Sequence, residues 1–466
     1  MQAGADNVHT RKIAEFVSTL SYDRIPGEVR ERIKLLILDA LGCGLYGAQL
    51  EWCRILQSTL KALDSTRTTS VWGTPLRLSS PHAALANGTQ VQGFELDDVH
   101  RQGVLHVGAV TLPALIAVAE SHADLTGEEF LTAAVAGYEI GPRVGRCMGQ
   151  EHIGQGWHSG ATLGVYSAAA GASRALRLSA HETVHALGIA GTQAAGLMAA
   201  QYGAMVKRMH AGRASQSGLY GALLAKGGFT GIVDVFEAPY GGFCTTFSRS
   251  HDRFDLGELS ASLGERFETM GVSLKFYSCV ASNHTSLDAI RDIQRRRPFT
   301  PAEVDKIVIH GSQVTVDHVG WPYRPEGLTA AQLNLPFCVA TLLLEGDVFV
   351  EQFTPAAVED RRRIELARKV EVVHEPAITA LGSAFRHKVK VEIYLRDGSV
   401  ASETRAVPRG SEQSFAPHAE IVEKFRKLTR AAITGTRQAA LADAVLNLEA
   451  LPACKRLGEL LRAEES

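Results

Sequence analysis

The sequence lacks the features that mark secreted, membrane-spanning and redox-active proteins. None of its seven cysteines lies within three residues of another, which excludes the Cys-x-x-Cys spacing of redox motifs and zinc ribbons. The first ten residues are polar and carry no apolar signal-peptide core. No apolar run reaches the ~18 residues that a membrane-spanning helix needs. We therefore expect a cytoplasmic protein with free thiols and no membrane partner.

The sequence also lacks an excess of charge of one sign. Its formal net charge is −2, from 48 Lys and Arg against 50 Asp and Glu. The arginine triplets at 295–297 and 361–363 are too short to form the basic face that nucleic-acid binding needs. With 45% hydrophobic and 21% charged residues, the 466-residue chain has the composition of an ordinary globular protein. We expect no nucleic-acid partner.

Apolar residues recur at helical spacing through the first ~260 residues and again near the C-terminus. The segments with this spacing are 52–64, 80–95, 110–123, 127–145, 159–175, 179–190, 213–226, 230–237, 283–297, 328–345, 354–368 and 417–464. Small residues are abundant among them and should let the helices pack closely. The segment 304–310 has strand character, and the alternation of 389–395 before Asp397-Gly398 predicts a β-hairpin. The predicted fold class is mainly α, with a smaller α+β region at 269–406.

An acidic segment, 95–100, places three carboxylates and a histidine in six residues. Glu95 and Asp98 would be neighbours if the segment were helical. Crowded carboxylates, Asp97 included, raise one another's pKa, which keeps a proton donor available near neutral pH. His106 follows just before an apolar helix whose N-terminal amides would attract an anionic group. The alternative is a polar loop between helices.

A second candidate segment, 203–212, carries Lys207 and His210 between two glycines. On a helix, residues three apart share a face. A cation and a titratable ring beside small residues, which leave room for a ligand, predict a site for a carboxylate substrate. The alternative is a solvated C-terminal helix turn, where both side chains are favourable.

Three further segments carry candidate polar residues. His158 lies among glycines at the start of a predicted helix, where the alternative is a loop histidine beside a capping serine. Lys275 and Tyr277 open the second region of the chain. The alternative for Lys275 is that it is a solvated cation on the surface. Thr329 lies at a predicted helix entry that mixes polar and apolar side chains.

The run His181–His185 matches the zinc-peptidase pattern His-Glu-x-x-His. Ser179 and Glu182, however, have the spacing of a capping box, which explains the glutamate without a metal. The extended motif's third histidine is replaced by glycine, and no Asp or Glu occurs between Thr183 and Asp234. Because a zinc site needs three protein ligands, we exclude a zinc peptidase and assign no metal ligands.

Taken in order along the chain, these segments resemble the MmgE/PrpD family. That family includes 2-methylcitrate dehydratases, cis-aconitate decarboxylases and iminodisuccinate epimerases. The matching pieces are 95–98, His106 with Leu112-Pro113, Trp157-His158, 207–212, 275–279 and 327–332. The sequence departs from the family pattern at Glu95 and Val99, where the family often has Asp and Thr, at Val280, and in a longer spacing from Asp98 to His106.

The resemblance implies a large all-helical domain, 1–268 completed by 407–466, and a smaller α+β lid domain, 269–406. It further implies a homodimer with an active site between the domains, a small-molecule carboxylate as substrate, and no metal or organic cofactor. We expect a lyase, a dehydratase of the 2-methylcitrate type. Decarboxylation of a cis-aconitate-like substrate, epimerisation of an iminodisuccinate-like one, and carboxylate binding without catalysis are the alternatives.

The predicted mechanism is removal of a proton next to a carboxylate, which fixed cations make easier by stabilising the developing charge. Histidines suit the acid and base roles, since their ordinary pKa is near ~6.5. The predicted catalytic residues are Asp98, His106, His158 and Lys207. The predicted substrate-binding residues are Glu95, Asp97, His210, Lys275, Tyr277 and Thr329.

Overall fold

A computed structural model of the protein describes residues 8–149, 151–202, 204–382 and 385–463. Its helices are α1 Val8–Thr19, α2 Gly27–Gly47, α3 Glu51–Leu63, α4 Ser80–Val91, α5 Val107–Ser121, α6 Gly127–Met148, α7 Glu151–Gly154, α8 Ser159–Thr162, α9 Gly164–Ala175, α10 Ala180–Gly191, α11 Val206–Lys226, α12 Phe243–Ser248, α13 Ala281–Arg296, α14 Gln313–Val319, α15 Leu328–Leu333, α16 Leu335–Glu345, α17 Pro355–Val358, α18 Arg361–Ala367, α19 Pro376–Thr379, α20 His418–Thr429, α21 Gly435–Leu446 and α22 Lys455–Leu461. Its strands are β1 Thr69–Ser70, β2 Arg77–Leu78, β3 Val99–His100, β4 Val272–Ser273, β5 Val304–Gly311, β6 Val370–His374, β7 Val389–Leu395 and β8 Val400–Arg405. The mainly α fold class is confirmed.

Helices α4, α5, α9 and α11 pack against one another at the centre of the N-terminal part. Small residues permit the close approach, as predicted. A Cβ on Gly212 of α11 would lie 2.1 Å from the Leu85 carbonyl oxygen of α4, and one on Gly88 would lie 2.7 Å from the Gly212 Cα. Gly212 therefore serves helix packing and does not leave room for a ligand; its partner in the sequence pattern, Gly203, lies outside the described residues.

The principal sheet lies in the C-terminal half and has the strand order β6-β5-β7-β8. Strand β5 runs parallel to β6, whereas β7 pairs antiparallel with both β5 and β8. The predicted hairpin is confirmed, and Gly398 in its turn has φ 84°, a left-handed conformation that glycine adopts without strain. Alternate residues of β7 are buried against the rest of the protein, including Val391 and Ile393.

Helix α20 returns from the C-terminal tail and packs against α2. Lys424 of α20 is buried, lies 2.6 Å from the Asp39 carboxylate of α2, and donates a 2.8 Å hydrogen bond to the Leu96 carbonyl oxygen. Burial disfavours both charges, yet the pKa of Lys424 is raised because the carboxylate of Asp39 outweighs that effect. The C-terminal tail thus holds the acidic segment through Lys424. The division into domains at 268/269 and 406/407 stays a prediction.

One helix prediction is wrong, three are interrupted and one is too long. The predicted helices 159–175 and 354–368 are each divided in two, at Leu163 and at residues 359–360. Residues 230–237 form turns instead of a helix. The predicted helix 328–345 is interrupted at Asn334, whose side chain accepts a hydrogen bond from the Phe337 amide and caps α16. Helix α4 ends at Val91, so the acidic segment is a loop, and Glu95 and Asp98 are not neighbours on a helical face.

Among the described residues, no single helix is both long enough and apolar enough to cross a membrane. The pair α2 and α3, bent by 81°, has sufficient length and apolar composition only when its two helices are taken together.

Lys424→Met should lower the free energy of unfolding by about 3 kcal/mol, because it leaves the Asp39 carboxylate buried without its cation. Denaturant unfolding would measure the loss, with Lys427→Met, an exposed neighbour on α20, as the matched control. The double variant Asp39→Asn, Lys424→Met should recover part of the stability. Equal effects of the two single lysine variants would contradict this account.

Candidate active site

The acidic loop between α4 and β3 holds a carboxylate inside a group of three cations. The Glu95 carboxylate is buried and is contacted by Lys207 and Arg208 of α11 through the same oxygen. Lys275 lies 3.4 Å from the other oxygen. Burial alone would raise the pKa of Glu95, but the three cations hold it well below its ordinary value. Glu95 is therefore ionised, and this group of cations is built to hold a carboxylate.

Glu95 also has an uncommon backbone conformation. Its φ of 57° lies in the left-handed region, which a residue with a side chain adopts at a cost of about 1 kcal/mol or more. The ion pairs with Lys207 and Arg208 offset that cost. Strain of this kind concentrates at functional sites, where surrounding contacts hold it in place.

His106 is oriented by acceptors on one side of its ring. Its Nδ1 lies 3.0 Å from the Asp97 carboxylate and 2.9 Å from the Asp98 carbonyl oxygen. Because both neighbours only accept hydrogen bonds, Nδ1 carries a proton, which leaves Nε2 as the atom that gains and loses one. Burial alone would raise the pKa of Asp97, but His106 and Lys275 hold it below its ordinary value.

Asp98 is the carboxyl whose pKa rises. Burial, reinforced by the neighbouring Asp97, raises the pKa of Asp98 to about 7, against hydrogen bonds that favour its charged form. Its two oxygens lie 3.0 and 3.1 Å from the Gly108 amide nitrogen, and the Tyr138 hydroxyl donates to it at 2.9 Å. The anion that we predicted at the N-terminus of α5 is thus a carboxylate of the chain itself.

His158 and His210 face each other with ring centroids 4.8 Å apart. Burial lowers the pKa of both rings, and the nearby Lys207 lowers them further. Both are therefore neutral near pH 7. Within the described residues, Nδ1 of each ring is buried without a hydrogen-bond partner.

Two contacts join the distant chain segments that meet here. Strands β3 and β4 pair antiparallel, with Val99 opposite Ser273, which brings Lys275 to the acidic loop. Gln332 of α15 accepts a 3.3 Å hydrogen bond from Arg208 and donates to the Phe94 and Ser278 carbonyl oxygens. Lys275 is 3% exposed, which rules out the alternative of a solvated surface cation.

A cavity of about 500 Å³ lies beside α15, the helix that carries Gln332, the hydrogen-bond partner of Arg208. Its lining includes Thr329 and His318, and it also receives Gln201 from the turn before α11. Burial, reinforced by the positive charges of Arg386 and Lys207, lowers the pKa of His318. The Lys207 and His106 side chains are 14% and 19% exposed, more than the other charged groups of the cluster, so solvent reaches the site through them.

The structure brings most of the predicted site residues together. The residues that converge are Glu95, Asp97, Asp98, His106, His158, Lys207, His210 and Lys275. Tyr277 lies apart, since its hydroxyl donates to Asp288 at 2.6 Å. Thr329 lines the adjoining cavity. Which of these residues act on a substrate stays a prediction.

The structure also decides between the alternatives for the segment that carries Lys207 and for the His181–His185 run. Lys207 lies in the first turn of α11, so it is not part of a C-terminal helix turn. Ser179 and Glu182 form a capping box at the start of α10, with each side chain accepting from the other's backbone amide. That structure accounts for the glutamate of the His-Glu-x-x-His run as predicted.

Sequence reasoning missed Arg208 and Gln332. Residues adjacent on a helix point about 100° apart, so Lys207 and Arg208 were not expected to reach one carboxylate. They do so because Glu95 lies opposite the first turn of α11, where both long side chains can extend to it. Gln332 was within a matching segment, but its side-chain partners lie more than fifty residues away along the chain.

The fold and the site together define a mainly helical protein that encloses a cluster of carboxylates, cations and neutral histidines. The chain belongs to the MmgE/PrpD family: the family's N-terminal domain matches residues 11–254 and its C-terminal domain matches residues 277–450. The resemblance drawn from the sequence is confirmed.

Relatives of known name match almost the whole chain. Cis-aconitate decarboxylase-like protein oryM of Aspergillus oryzae is 35% identical, over 98% of this chain and 97% of its own. Cis-aconitate decarboxylase of Aspergillus terreus is 33% identical, over 97% of this chain and 95% of its own. The human cis-aconitate decarboxylase is 27% identical, over 97% of this chain and 94% of its own. These findings support a lyase-type function.

Asp98→Asn should remove a pH dependence of stability. The folded protein holds a proton on Asp98 up to about pH 7, whereas the unfolded chain releases it near pH 4, so the contribution of Asp98 to the free energy of unfolding falls as the pH rises between these values. Asn imitates the protonated carboxyl. As the pH rises across this window, the free energy of unfolding of Asp98→Asn should therefore increase relative to that of the wild type, by up to roughly 4 kcal/mol.

Denaturant unfolding at a series of pH values would measure this difference. Asp124→Asn, at an exposed position, is the matched control and should show no such trend. A difference between Asp98→Asn and the wild type that stays constant from pH 4 to pH 8 would contradict the raised pKa of Asp98.

Proposed function

We propose that this protein is a lyase that decarboxylates a small unsaturated tricarboxylate of the cis-aconitate type. Relatives with 33–35% identity over nearly the full chain carry the name of that activity or of a protein like it. The dehydratase expectation drawn from the sequence is not confirmed, and the decarboxylase alternative fits these relatives better.

The observation that carries the proposal is the set of three cations around the Glu95 carboxylate. Lys207, Arg208 and Lys275 face two ionised carboxylates, Glu95 and Asp97, while Asp98 is partly protonated near neutral pH. The excess of positive charge favours an anionic ligand. Partial burial strengthens each charge–charge interaction, since the local dielectric constant is lower than that of water.

The chemistry of decarboxylation makes two demands on such a site. When the carbon–carbon bond to the leaving carboxylate breaks, CO₂ departs and the electron pair shifts through the adjoining double bond towards a second carboxylate. Cations held beside that carboxylate lower the barrier by stabilising the developing charge. One proton must then be added to carbon, which completes the product.

The lysines and histidines of the cluster suit these roles. Lys207 and Lys275 come from distant parts of the chain and would hold the carboxylate that receives the charge. His106 is oriented through Nδ1, so its Nε2 would deliver the proton. His158 and His210 are neutral and would donate or accept hydrogen bonds without adding charge. The burial of Glu95, Asp97 and Lys275 would keep the charge interactions strong.

Dehydration of a hydroxy tricarboxylate is the second candidate. Asp98 favours it, because a carboxyl with a pKa of about 7 retains a proton that a departing hydroxyl needs. Its three hydrogen bonds to Gly108 and Tyr138, however, occupy both oxygens inside the protein. We therefore rank it below decarboxylation.

We further propose the arrangement implied by the family resemblance. In it, the C-terminal region 269–406 acts as a lid over the helical domain, and the protein works as a homodimer in the cytoplasm without a metal or organic cofactor. Size-exclusion chromatography with light scattering would test the homodimer.

Product analysis should separate the candidate reactions. With cis-aconitate in D₂O, NMR should show one released CO₂ and one deuterium on carbon for each product molecule. Citrate and 2-methylcitrate should remain unchanged. Loss of water from either hydroxy acid would favour the dehydratase, and solvent exchange alone would favour an epimerase. Thermal stabilisation by all three compounds without turnover would contradict catalysis and indicate a binding protein.

Lys207→Ala should lower kcat/KM by about 100-fold or more, because it removes a cation from the developing charge. Lys226→Ala, an exposed change on the same helix, is the matched control and should leave kcat/KM unchanged. Circular dichroism should show both variants folded. Near-normal turnover by Lys207→Ala would contradict the proposed site.

A further inference from the structure

A second charged cavity, of about 790 Å³, lies on the surface beside α3. Its basic lining residues are Arg54, Lys61, Arg67 and Arg77, and Asp64 is its acidic one. None of these residues belongs to the Glu95 cluster. We propose that this groove binds an anion that carries two or more phosphate groups.

One wall of the groove is a single face of α3. Arg54, Gln57, Ser58 and Lys61 are spaced i, i+3, i+4 and i+7, the spacing that aligns side chains along a helix. Gln57 is anchored inward, donating to the Ala48 carbonyl oxygen and to the side chain of Gln90. The two cations and the serine hydroxyl therefore face the groove from a fixed support.

The opposite wall is formed by residues 64–67 and by β2. Strands β1 and β2 pair with Ser70 opposite Arg77, which brings Arg77 beside Arg67 and the hydroxyl residues Ser65 and Thr66. The Arg77 guanidinium donates to the Thr68 carbonyl oxygen at 2.5 Å, which restrains its position. Cations from two chain segments thus line one concave surface.

The one acidic residue in the groove offsets only part of the charge of its four cations. Asp64 accepts hydrogen bonds from the Ser79 amide and hydroxyl, from the Thr66 amide and from His82. These bonds outweigh its partial burial and hold the pKa of Asp64 well below its ordinary value. The carboxylate is thus held by residues at the start of α4 and by the Thr66 amide.

The cations themselves are largely uncompensated. In the described part of the chain, Arg54, Lys61 and Arg67 form no ion pair, although Asp64 lines the same groove, and the charge of Arg77 acts on the buried Glu120. Like charges grouped around one cavity repel each other, and an anion between them removes the repulsion.

The spacing of the cations identifies the ligand class. Arg54 and Lys61 are seven residues apart on a helix, which separates them by about 10 Å along its axis. A chain of phosphate groups can contact both ends without drawing the two side chains together, as a single phosphate or carboxylate would. Arginine side chains bind phosphate through paired hydrogen bonds, and the serine and threonine hydroxyls add further donors. The volume of the groove is that of a site for a cofactor-sized molecule. A soluble nucleotide or polyphosphate and a phosphorylated lipid headgroup share this chemistry.

Isothermal titration calorimetry on the full chain would test the proposal, with inorganic tripolyphosphate and ATP as soluble probes at physiological ionic strength. Vesicles with and without a polyphosphorylated inositol lipid form the second arm. We expect saturable binding of at least one probe. The variant Arg54→Ala, Lys61→Ala, Arg67→Ala should weaken it about tenfold or more. Binding confined to one arm identifies the source of the phosphate groups and supports the groove.

Two controls keep the result specific. The variant Lys12→Ala, Arg361→Ala, Lys455→Ala removes the same charge from exposed positions elsewhere, so an equal loss of affinity would overturn the proposal by showing a general charge effect. Lys207→Ala should bind the probe normally. Binding lost in Lys207→Ala but kept in the groove variant would place the anion in the candidate active site and overturn the proposal, as would the absence of binding in the wild type.

Discussion

The structure depends on one arrangement above all: a buried carboxylate held by three cations from two distant parts of the chain. Glu95 lies in the loop between α4 and β3, Lys207 and Arg208 lie in the first turn of α11, and Lys275 follows β4. Burying any of these charges alone would cost several kcal/mol, so each needs the others in place. The ion pairs therefore fix the relative position of the helical core and the segment that leads to the C-terminal sheet.

Several parts of the fold are directed to holding this arrangement. Gly88 and Gly212 let α4 and α11 approach closely, so that the loop after one meets the first turn of the other. Lys424 reaches from the C-terminal tail to the Leu96 carbonyl oxygen inside the loop. Gln332 ties Arg208 to the backbone on the other side. A site supported from several directions keeps its geometry, which is what electrostatic stabilisation of a reacting group requires.

Sequence reasoning succeeded where a local pattern carries the information. The helical periodicity, the Asp397-Gly398 hairpin and the Ser179 capping box are each set by residues a few positions apart. The cluster itself was predicted largely through the ordered set of family-like segments. What could not be predicted is long-range: that Arg208 would share the partner of Lys207, and that the amide at the start of α5 would bind Asp98 instead of a substrate. Residues 230–237 have helical apolar spacing, but their structure is a series of turns.

The central claim is that the cations around Glu95 bind the carboxylates of the substrate. A crystal structure with propane-1,2,3-tricarboxylate, which has no double bond or hydroxyl to react, tests it most directly. The account predicts one ligand carboxylate within hydrogen-bond distance of the Nζ atoms of both Lys207 and Lys275, with another part of the ligand beside His106 Nε2. A tricarboxylate bound elsewhere, with Lys207 and Lys275 contacting only Glu95, would contradict it.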